Sequence, residues 1–164
     1  MEAYEHQDRN EKEEAKERII SFIKEGTVID HIPHQKIFDL VRILSLHKST
    51  EGTVSIATNL PSKKCGKKGI IKVEGRFLTP EEVGKIAVIC PHVTMNTIKE
   101  YQVSDKISLT IPKLIKNIVM CNNPHCISNH ERIPTVFHVL EESPLKMKCN
   151  YCEIIVHREE LIIP

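Results

Sequence analysis

The chain has 164 residues, of which 40% are apolar and 27% charged, with six glycines and nine prolines. This length predicts one domain or two small ones, and the composition is typical of a globular protein rather than a disordered one. The 23 basic and 22 acidic residues nearly cancel, and the absence of tryptophan with only 4% aromatic residues argues against a polyanion-binding surface or a base-stacking platform. No apolar run reaches the 18 residues of a membrane span, and the acidic start is unlike a secretion signal, so we expect a cytoplasmic protein.

The N-terminal segment is rich in charge and poor in apolar residues. Residues 1–18 hold seven acids and four bases, and we interpret them as an acidic, solvated N-terminal tail, with a dimer contact and a lid as the alternatives. Helix-forming residues and acid–base pairs at three- and four-residue spacing predict a helix from Glu11 to Lys24, with Gly26 as its stop.

A regular pattern follows, in the order strand, helix, strand, strand, helix, strand. The predicted strands are 27–32, 53–60, 69–75 and 93–103, and the predicted helices are 34–47 and 79–90. The second helix has the clearest signal, because Thr79, Pro80 and Glu82 form a capping-box sequence. This order predicts an α+β class and a ferredoxin-like (split β-α-β) antiparallel sheet domain, with both helices on one face, over residues 19–108.

The C-terminal residues 113–164 are too few to bury a strong core without a covalent or metal staple. Before them, 104–112 is a polar, proline-terminated connector, and short strands are predicted at 136–140, 145–148 and 154–157. We therefore predict a small, stapled β domain over 109–164.

Four cysteines supply this staple, as two close pairs separated by 22 residues: Cys121, Cys126, Cys149 and Cys152. Two pairs of thiolates on turns can close a tetrahedron around one structural zinc ion. Two disulfides are the alternative, and they fit less well in a chain without a secretion signal. We interpret the nearby His125 and His130 as surface residues rather than ligands.

A basic segment lies between Lys63 and Arg76, with six bases and a single acid. Lys72 is in the middle of a predicted strand, where an ammonium group needs a partner or water. Because the first and third strands of this fold are central neighbours, Lys72 can share a face with Asp30 or His31. Two interpretations stay open: a site for ribose hydroxyls and phosphate, or a cross-strand ion pair.

Several segments together resemble the regulatory chain of aspartate carbamoyltransferase, over residues 19 to about 160. They are 26–33, 59–62, 96–101, 121–128 and 149–152, together with the spacing of Lys68 and Lys72. The resemblance implies a nucleotide-binding allosteric domain that binds CTP as inhibitor and ATP as activator at one shared site, with UTP acting beside CTP, in pyrimidine biosynthesis. It also implies a zinc domain that docks on the catalytic chain, and a homodimer of regulatory chains within a dodecamer of six catalytic and six regulatory chains. Such a chain has no active site of its own.

The resemblance assigns roles to ten residues. Around the ribose and the phosphates it implies Asp30 and Lys72 at the ribose, His31 and Lys106 at the triphosphate, and Lys68 and Asn96 at the phosphates or at a second nucleotide, with Mg²⁺ as an optional cofactor. Around the base it implies backbone groups of Ile23, Tyr101 and Val103, with Ile20 near the ribose.

Two other function classes stay open. A nucleic-acid-binding zinc-ribbon protein would use 63–76 as its footprint, against which stand the near-zero net charge and the lack of interleaved aromatic residues. An enzyme of ferredoxin-like fold would need His31 or Cys65 in catalysis, yet no nucleophile, base and orienting group occur together. Cys90, at the end of an apolar helix face, is interpreted as a core residue. We therefore predict a non-catalytic chain.

Overall fold

The computed structural model describes residues 21–48, 51–63 and 66–164, so the predicted tail (1–18), Ile20 and Cys65 lie outside the described residues. These described residues form two compact units. The first takes its residues from 21–37, 51–63, 66–77 and 94–107, and the second from 38–48, 78–93 and 108–164. No helix in the described ranges is long and apolar enough to cross a membrane.

The first unit is an antiparallel sheet of five strands within the described residues, in the spatial order β2-β3-β1-β4-β5. The strands are β1 (Gly26–Pro33), β2 (Val54–Ser62), β3 (Gly66–Glu74), β4 (Thr94–Lys99) and β5 (Gln102–Ser108). Its central strand, β1, pairs with both β3 and β4. The order β2-β3-β1-β4 is that of the predicted ferredoxin-like sheet, and β5 extends it by one edge strand.

The two faces of this sheet differ because side chains alternate along each strand. Ile29 of β1 lies opposite Ile71 of β3, and both are fully buried. One residue earlier, Val28 lies between Lys72 of β3 and Asn96 of β4. Residues directly opposite on paired strands share a face, so Val28, Lys72 and Asn96 form one row on the other face.

Two α-helices occur in the described ranges, α1 (Ile37–Ile43) and α2 (Pro80–Ile89). The capping box predicted for α2 is present, with the Glu82 N–H donating to Thr79 Oγ1 at 3.3 Å and the Thr79 N–H donating to the Glu82 carboxylate at 2.8 Å. The first helix is shorter than predicted. A 3-10 turn (His34–Lys36) precedes it, and Ser45 shortly after it has φ 52°, a left-handed conformation that cannot continue a helix.

The second unit contains a sheet of four strands among the described residues, in chain order β6-β7-β8-β9. They are β6 (Leu114–Lys116), β7 (Val136–Glu142), β8 (Leu145–Cys149) and β9 (Ile155–His157). The last three match predicted strands, whereas β6 was not predicted. Phe137, Met147 and Val156 are fully buried in its core, and Val88 of α2 belongs to the same cluster.

Three local predictions are wrong. The predicted helix does not extend over 21–24, because Ser21 to Ile23 are non-helical and Ile23 is buried against Val28 and Ile98. The predicted strand 93–103 is two strands, since Glu100 and Tyr101 have φ 47° and 64° and form a tight left-handed turn between β4 and β5. The connector 104–112 is a strand up to Ser108.

Candidate functional site

Four cysteines in the described ranges converge in the second unit. Cys121 lies after β6, Cys126 precedes a 3-10 turn, Cys149 ends β8 and Cys152 lies in the turn after it. The four sulfur atoms lie within 4.8 Å of one another, with Sγ–Sγ distances of 3.5 Å for Cys121–Cys152 and 3.8 Å for Cys126–Cys149. All four are free thiols. A disulfide would need about 2.05 Å, so the alternative of two disulfides does not fit.

This arrangement fits a tetrahedral metal ion. Metal–sulfur bonds of about 2.3 Å in a tetrahedron place the sulfur atoms roughly 3.8 Å apart, which is close to the observed separations. Four thiols close the coordination shell, as in structural rather than catalytic sites. His125 and His130 are exposed, and the His130 ring nitrogen Nε2 lies 2.7 Å from the Pro124 carbonyl oxygen, so neither joins the group.

The acidity of the thiols differs with their surroundings. Burial raises the pKa of Cys121 and that of Cys149 above the ordinary thiol value. Burial acts on Cys126 in the same sense, but hydrogen bonds from the Ser128 side chain and backbone outweigh it and lower the pKa to about 7. A divalent cation favours the thiolate form at every position. The donor set therefore suits a structural metal.

A second candidate site is a cavity of about 470 Å³ in the first unit. Its apolar lining contains the packed side chains of Ile23, Val28, Ile98 and Ile70. Polar lining residues come from both neighbours of β1, since Lys72 and Asn96 flank Val28 in the sheet. The remaining lining residues are Phe22, Tyr101, Val103 and Lys106, all of them exposed.

The segment before β1 is fixed against this cavity by backbone contacts. The Tyr101 N–H donates to the Lys24 carbonyl at 3.0 Å, and Lys72 Nζ donates to the Ser21 carbonyl at 3.2 Å. Lys72 Nζ also lies over the Phe22 ring, 5.6 Å from its centroid. Burial lowers the pKa of Lys72, and the nearby Asp30 carboxylate opposes that shift. An anion entering the cavity would meet a partly desolvated ammonium group there.

Three predicted residues form a separate cluster where β1 is irregular. Lys68 Nζ forms an ion pair with the Asp30 carboxylate, 2.8 Å from Oδ1 and 2.9 Å from Oδ2. The His31 backbone N–H donates to Asp30 Oδ1 at 2.6 Å. A register shift between Ile29 and Ile32 and the left-handed φ of His31 (61°) bring these groups together. The ion pair considered for this strand pair therefore forms, but with Lys68 rather than Lys72. His31 Nδ1 is buried and makes no hydrogen bond among the described residues, although Asp30 Oδ2 lies 3.4 Å from it.

Nine of the ten predicted nucleotide-binding residues lie in the described ranges, and six of them line the cavity: Ile23, Lys72, Asn96, Tyr101, Val103 and Lys106. Asp30, His31 and Lys68 form the neighbouring cluster, and the roles of all nine stay predictions. Sequence reasoning missed Phe22, Val28, Ile70 and Ile98 as lining residues. The alternation along β1 and β3 already places Val28 and Ile70 on the face of Lys72, and that signal could have found them.

Comparison with known proteins decides the family. Residues 18–110 match the family model described as aspartate carbamoyltransferase regulatory chain, allosteric domain, and residues 113–162 match the corresponding metal binding domain. The chain belongs to the aspartate carbamoyltransferase regulatory chain family. It is 50% identical over 144 residues to the aspartate carbamoyltransferase regulatory chain of Pyrococcus abyssi, covering 87% of this chain and 95% of the relative.

More distant relatives carry the same name. The regulatory chain of Thermococcus kodakarensis is 49% identical over 142 residues, which is 87% of this chain and 93% of the relative. That of Bacteroides fragilis is 44% identical over 144 residues, or 88% and 94% of the two chains. Members of this family are regulatory, non-catalytic subunits, which agrees with the expectation from sequence.

Proposed function

We propose that this chain regulates aspartate carbamoyltransferase by binding CTP as inhibitor and ATP as activator at one shared site, the 470 Å³ cavity of the first unit. The observation that carries the proposal is the pairing of an apolar lining with Lys72, Lys106 and Asn96 in one cavity. A nucleotide has matching parts, because its base is apolar on both faces and its triphosphate is anionic. Two ligands of different base size then bias the same equilibrium differently.

In this proposal, residues of the cavity bind the base and the ribose, and Asp30 of the neighbouring cluster adds a contact to the ribose. Ile23, Tyr101 and Val103 present backbone groups to the base, and Lys72 holds the ribose. The Tyr101 N–H already donates to the Lys24 carbonyl. The backbone group that Tyr101 offers to the base is therefore its own carbonyl, which can accept from an amino group of the base. Asp30 completes the ribose contact, and Ile20 lies near it.

The phosphates are assigned to the cations and to one imidazole. His31 and Lys106 contact the triphosphate, and Lys68 and Asn96 serve the phosphates or a second nucleotide such as UTP, with Mg²⁺ where it accompanies them. Lys68 already neutralises Asp30, so a phosphate that draws Lys68 away releases the carboxylate for a ribose hydroxyl.

The metal is proposed to be one structural Zn²⁺ held by the thiolates of Cys121, Cys126, Cys149 and Cys152. Zinc accepts four thiolates in a tetrahedron without preference for other geometries. In this proposal it keeps residues 109–164 folded as the domain that docks on the catalytic chain, while 19–108 is the nucleotide domain and 1–18 an acidic tail. Regulatory chains then pair as homodimers within a cytoplasmic dodecamer of six catalytic and six regulatory chains in pyrimidine biosynthesis.

The test is calorimetric titration of the zinc-loaded chain with CTP and with ATP at moderate salt. Saturable binding is expected, with each ligand displacing the other. Lys72→Met and Lys106→Met should weaken both, whereas Lys148→Met, which alters a lysine paired with Glu153 in the second unit, should not. A parent chain that binds neither nucleotide would refute the proposal.

The nucleic-acid-binding alternative is disfavoured by family membership and by a net charge of only +1. Oligonucleotide binding with a steep salt dependence, in a chain that ignores CTP and ATP, would reverse this choice.

A further inference from the structure

Phe22 is a large apolar residue at the rim of the cavity, and it is 76% exposed. Exposure alone decides nothing, since single exposed apolar residues are common and Phe38 is 70% exposed as well. What distinguishes Phe22 is its position, because its side chain lines the cavity together with Lys72 and the apolar residues of the sheet.

The ring is held in place without being buried. On one side of it in sequence, the Ser21 carbonyl accepts from Lys72 Nζ at 3.2 Å, and on the other side Ile23 is 6% exposed. Lys72 Nζ lies over the ring itself, 5.6 Å from the centroid, in cation–π contact. Because the flanking backbone is fixed and the ring already contacts Lys72, covering it with a ligand costs less conformational entropy than ordering a mobile segment would.

Apart from Phe22, the apolar lining of the cavity is aliphatic except for Tyr101, which lies in the turn between β4 and β5. Ile23, Val28, Ile70 and Ile98 pack on one another beneath the opening, and none of them has a π system. Planar bases are commonly held by aromatic rings, because every base has a π face whatever its edge. Phe22 is therefore placed to supply a flat aromatic surface that the aliphatic lining lacks, whereas Tyr101 is assigned to the base through its backbone.

We propose that Phe22 stacks on the base of the bound nucleotide and so sets the preference between purine and pyrimidine. This inference rests on the proposed function, and it adds a specificity-determining residue to that site. A purine covers more of the ring than a pyrimidine does, so the stack strengthens ATP binding more than CTP binding.

A fluorescence experiment reports the stack directly. The chain has no tryptophan, so Phe22→Trp places a single indole at the rim. In the full, zinc-loaded chain we expect ATP and CTP to quench its emission, and inorganic tripolyphosphate to compete with them without quenching. A Phe22→Trp chain that binds both nucleotides by calorimetry with unchanged emission would overturn the inference.

Calorimetry of matched variants gives the second test. Replacing a stacking aromatic residue by alanine weakens binding by roughly 5- to 150-fold per base, so Phe22→Ala is expected in that range for ATP and nearer its lower end for CTP. Phe22→Leu keeps apolar bulk and should also lose more affinity for ATP than for CTP. Neither variant should change the affinity for tripolyphosphate, and the control Phe38→Leu should bind both nucleotides as the parent does.

The outcomes separate this inference from the proposed function. A parent that binds neither nucleotide refutes the function and the stack together. A parent that binds both, with Phe22→Leu and Phe22→Ala unchanged, refutes the stack alone and leaves the function standing. Equal losses for ATP and CTP would overturn the purine preference.

Discussion

Removal of the metal is expected to unfold α2 together with the four-stranded sheet of the second unit. Cys121, Cys126 and Cys149 are buried in the same cluster as Phe137, and Val88 of α2 belongs to that cluster with 0% exposure. Structural zinc binding in small domains is worth about 10–16 kcal/mol, whereas whole domains are stable by only about 5–15 kcal/mol. Loss of the ion therefore removes a free energy comparable to the whole free energy of unfolding of such a unit.

The dependence of α2 on this unit can be estimated from its contacts. The helix has ten residues, fewer than the roughly 12–15 at which isolated helices become even marginal in water. Burial of Val88 contributes about 1.5–3 kcal/mol. Arg158 Nη1 donates to both the Val88 and the Ile89 carbonyl, at 3.0 and 3.2 Å. Because one nitrogen is shared between the two acceptors, we count the pair as one charge-assisted contact of about 1.5–3 kcal/mol. These contacts together stabilise α2 by about 3–6 kcal/mol, enough to decide whether it forms.

Hydrogen exchange of the zinc-loaded, chelator-treated and reloaded chain measures this. Protection should disappear from β6 to β9 and from α2 on chelation and return with zinc, while β1 and β3, which carry the buried Ile29 and Ile71, should keep more of theirs. In the loaded chain, Arg158→Met should speed exchange in α2 by roughly 10- to 150-fold, the equivalent of its hydrogen bonds. Unchanged protection of α2 after β6–β9 have lost theirs would refute the reasoning.

Two further predictions concern the first unit. Lys72→Met should not lower the melting temperature at pH 7, because burial lowers the pKa of Lys72 and the folded state therefore binds this proton less tightly than the unfolded state does. This penalty on folding decreases as the pH rises toward the unfolded pKa. Thermal unfolding measured against pH checks the prediction, and a clear fall in melting temperature on substitution would contradict it. Lys68→Met should lower the free energy of unfolding by about 1–2 kcal/mol, since it leaves the largely buried Asp30 carboxylate without its ion-pair partner. In a double-mutant cycle with Asp30→Asn, measured by chemical denaturation, the double variant should lose less free energy of unfolding than the two single variants lose in sum. Strictly additive losses would argue against the ion pair.

Features that depend on neighbouring residues could be predicted from the sequence. The capping box of α2 involves Thr79 and Glu82, three positions apart, and both hydrogen bonds are present. Each close cysteine pair likewise occupies a single turn, so the spacing alone indicated a metal site. The strand order followed from the sequence of elements, because few topologies accommodate it.

Features that depend on residues far apart in the sequence could not be predicted from it. The helix propensity of 11–24 is overruled over 21–23, where Ile23 packs on Val28 and Ile98, a contact invisible to local pattern. The turn at Glu100 and Tyr101 has two left-handed residues without glycine or asparagine, so no turn signal marks it. The irregular register after Ile29 places Asp30 beside Lys68, although regular alternation had suggested Lys72.

Two of the candidate binding residues, Lys72 and His31, are held by the sheet at some expense of stability. Burial beside Val28 lowers the pKa of Lys72, and His31 has a left-handed backbone and a buried ring nitrogen. Strained backbone and desolvated charge persist where the surrounding structure imposes them, and they cluster at ligand sites. A bound nucleotide would offset the penalty at Lys72, because its ribose oxygens replace lost water as acceptors for the ammonium group. Lys72→Met should therefore weaken nucleotide binding and leave the nucleotide-free protein no less stable. Measuring both the affinity and the stability of this variant separates a binding residue from a structural one.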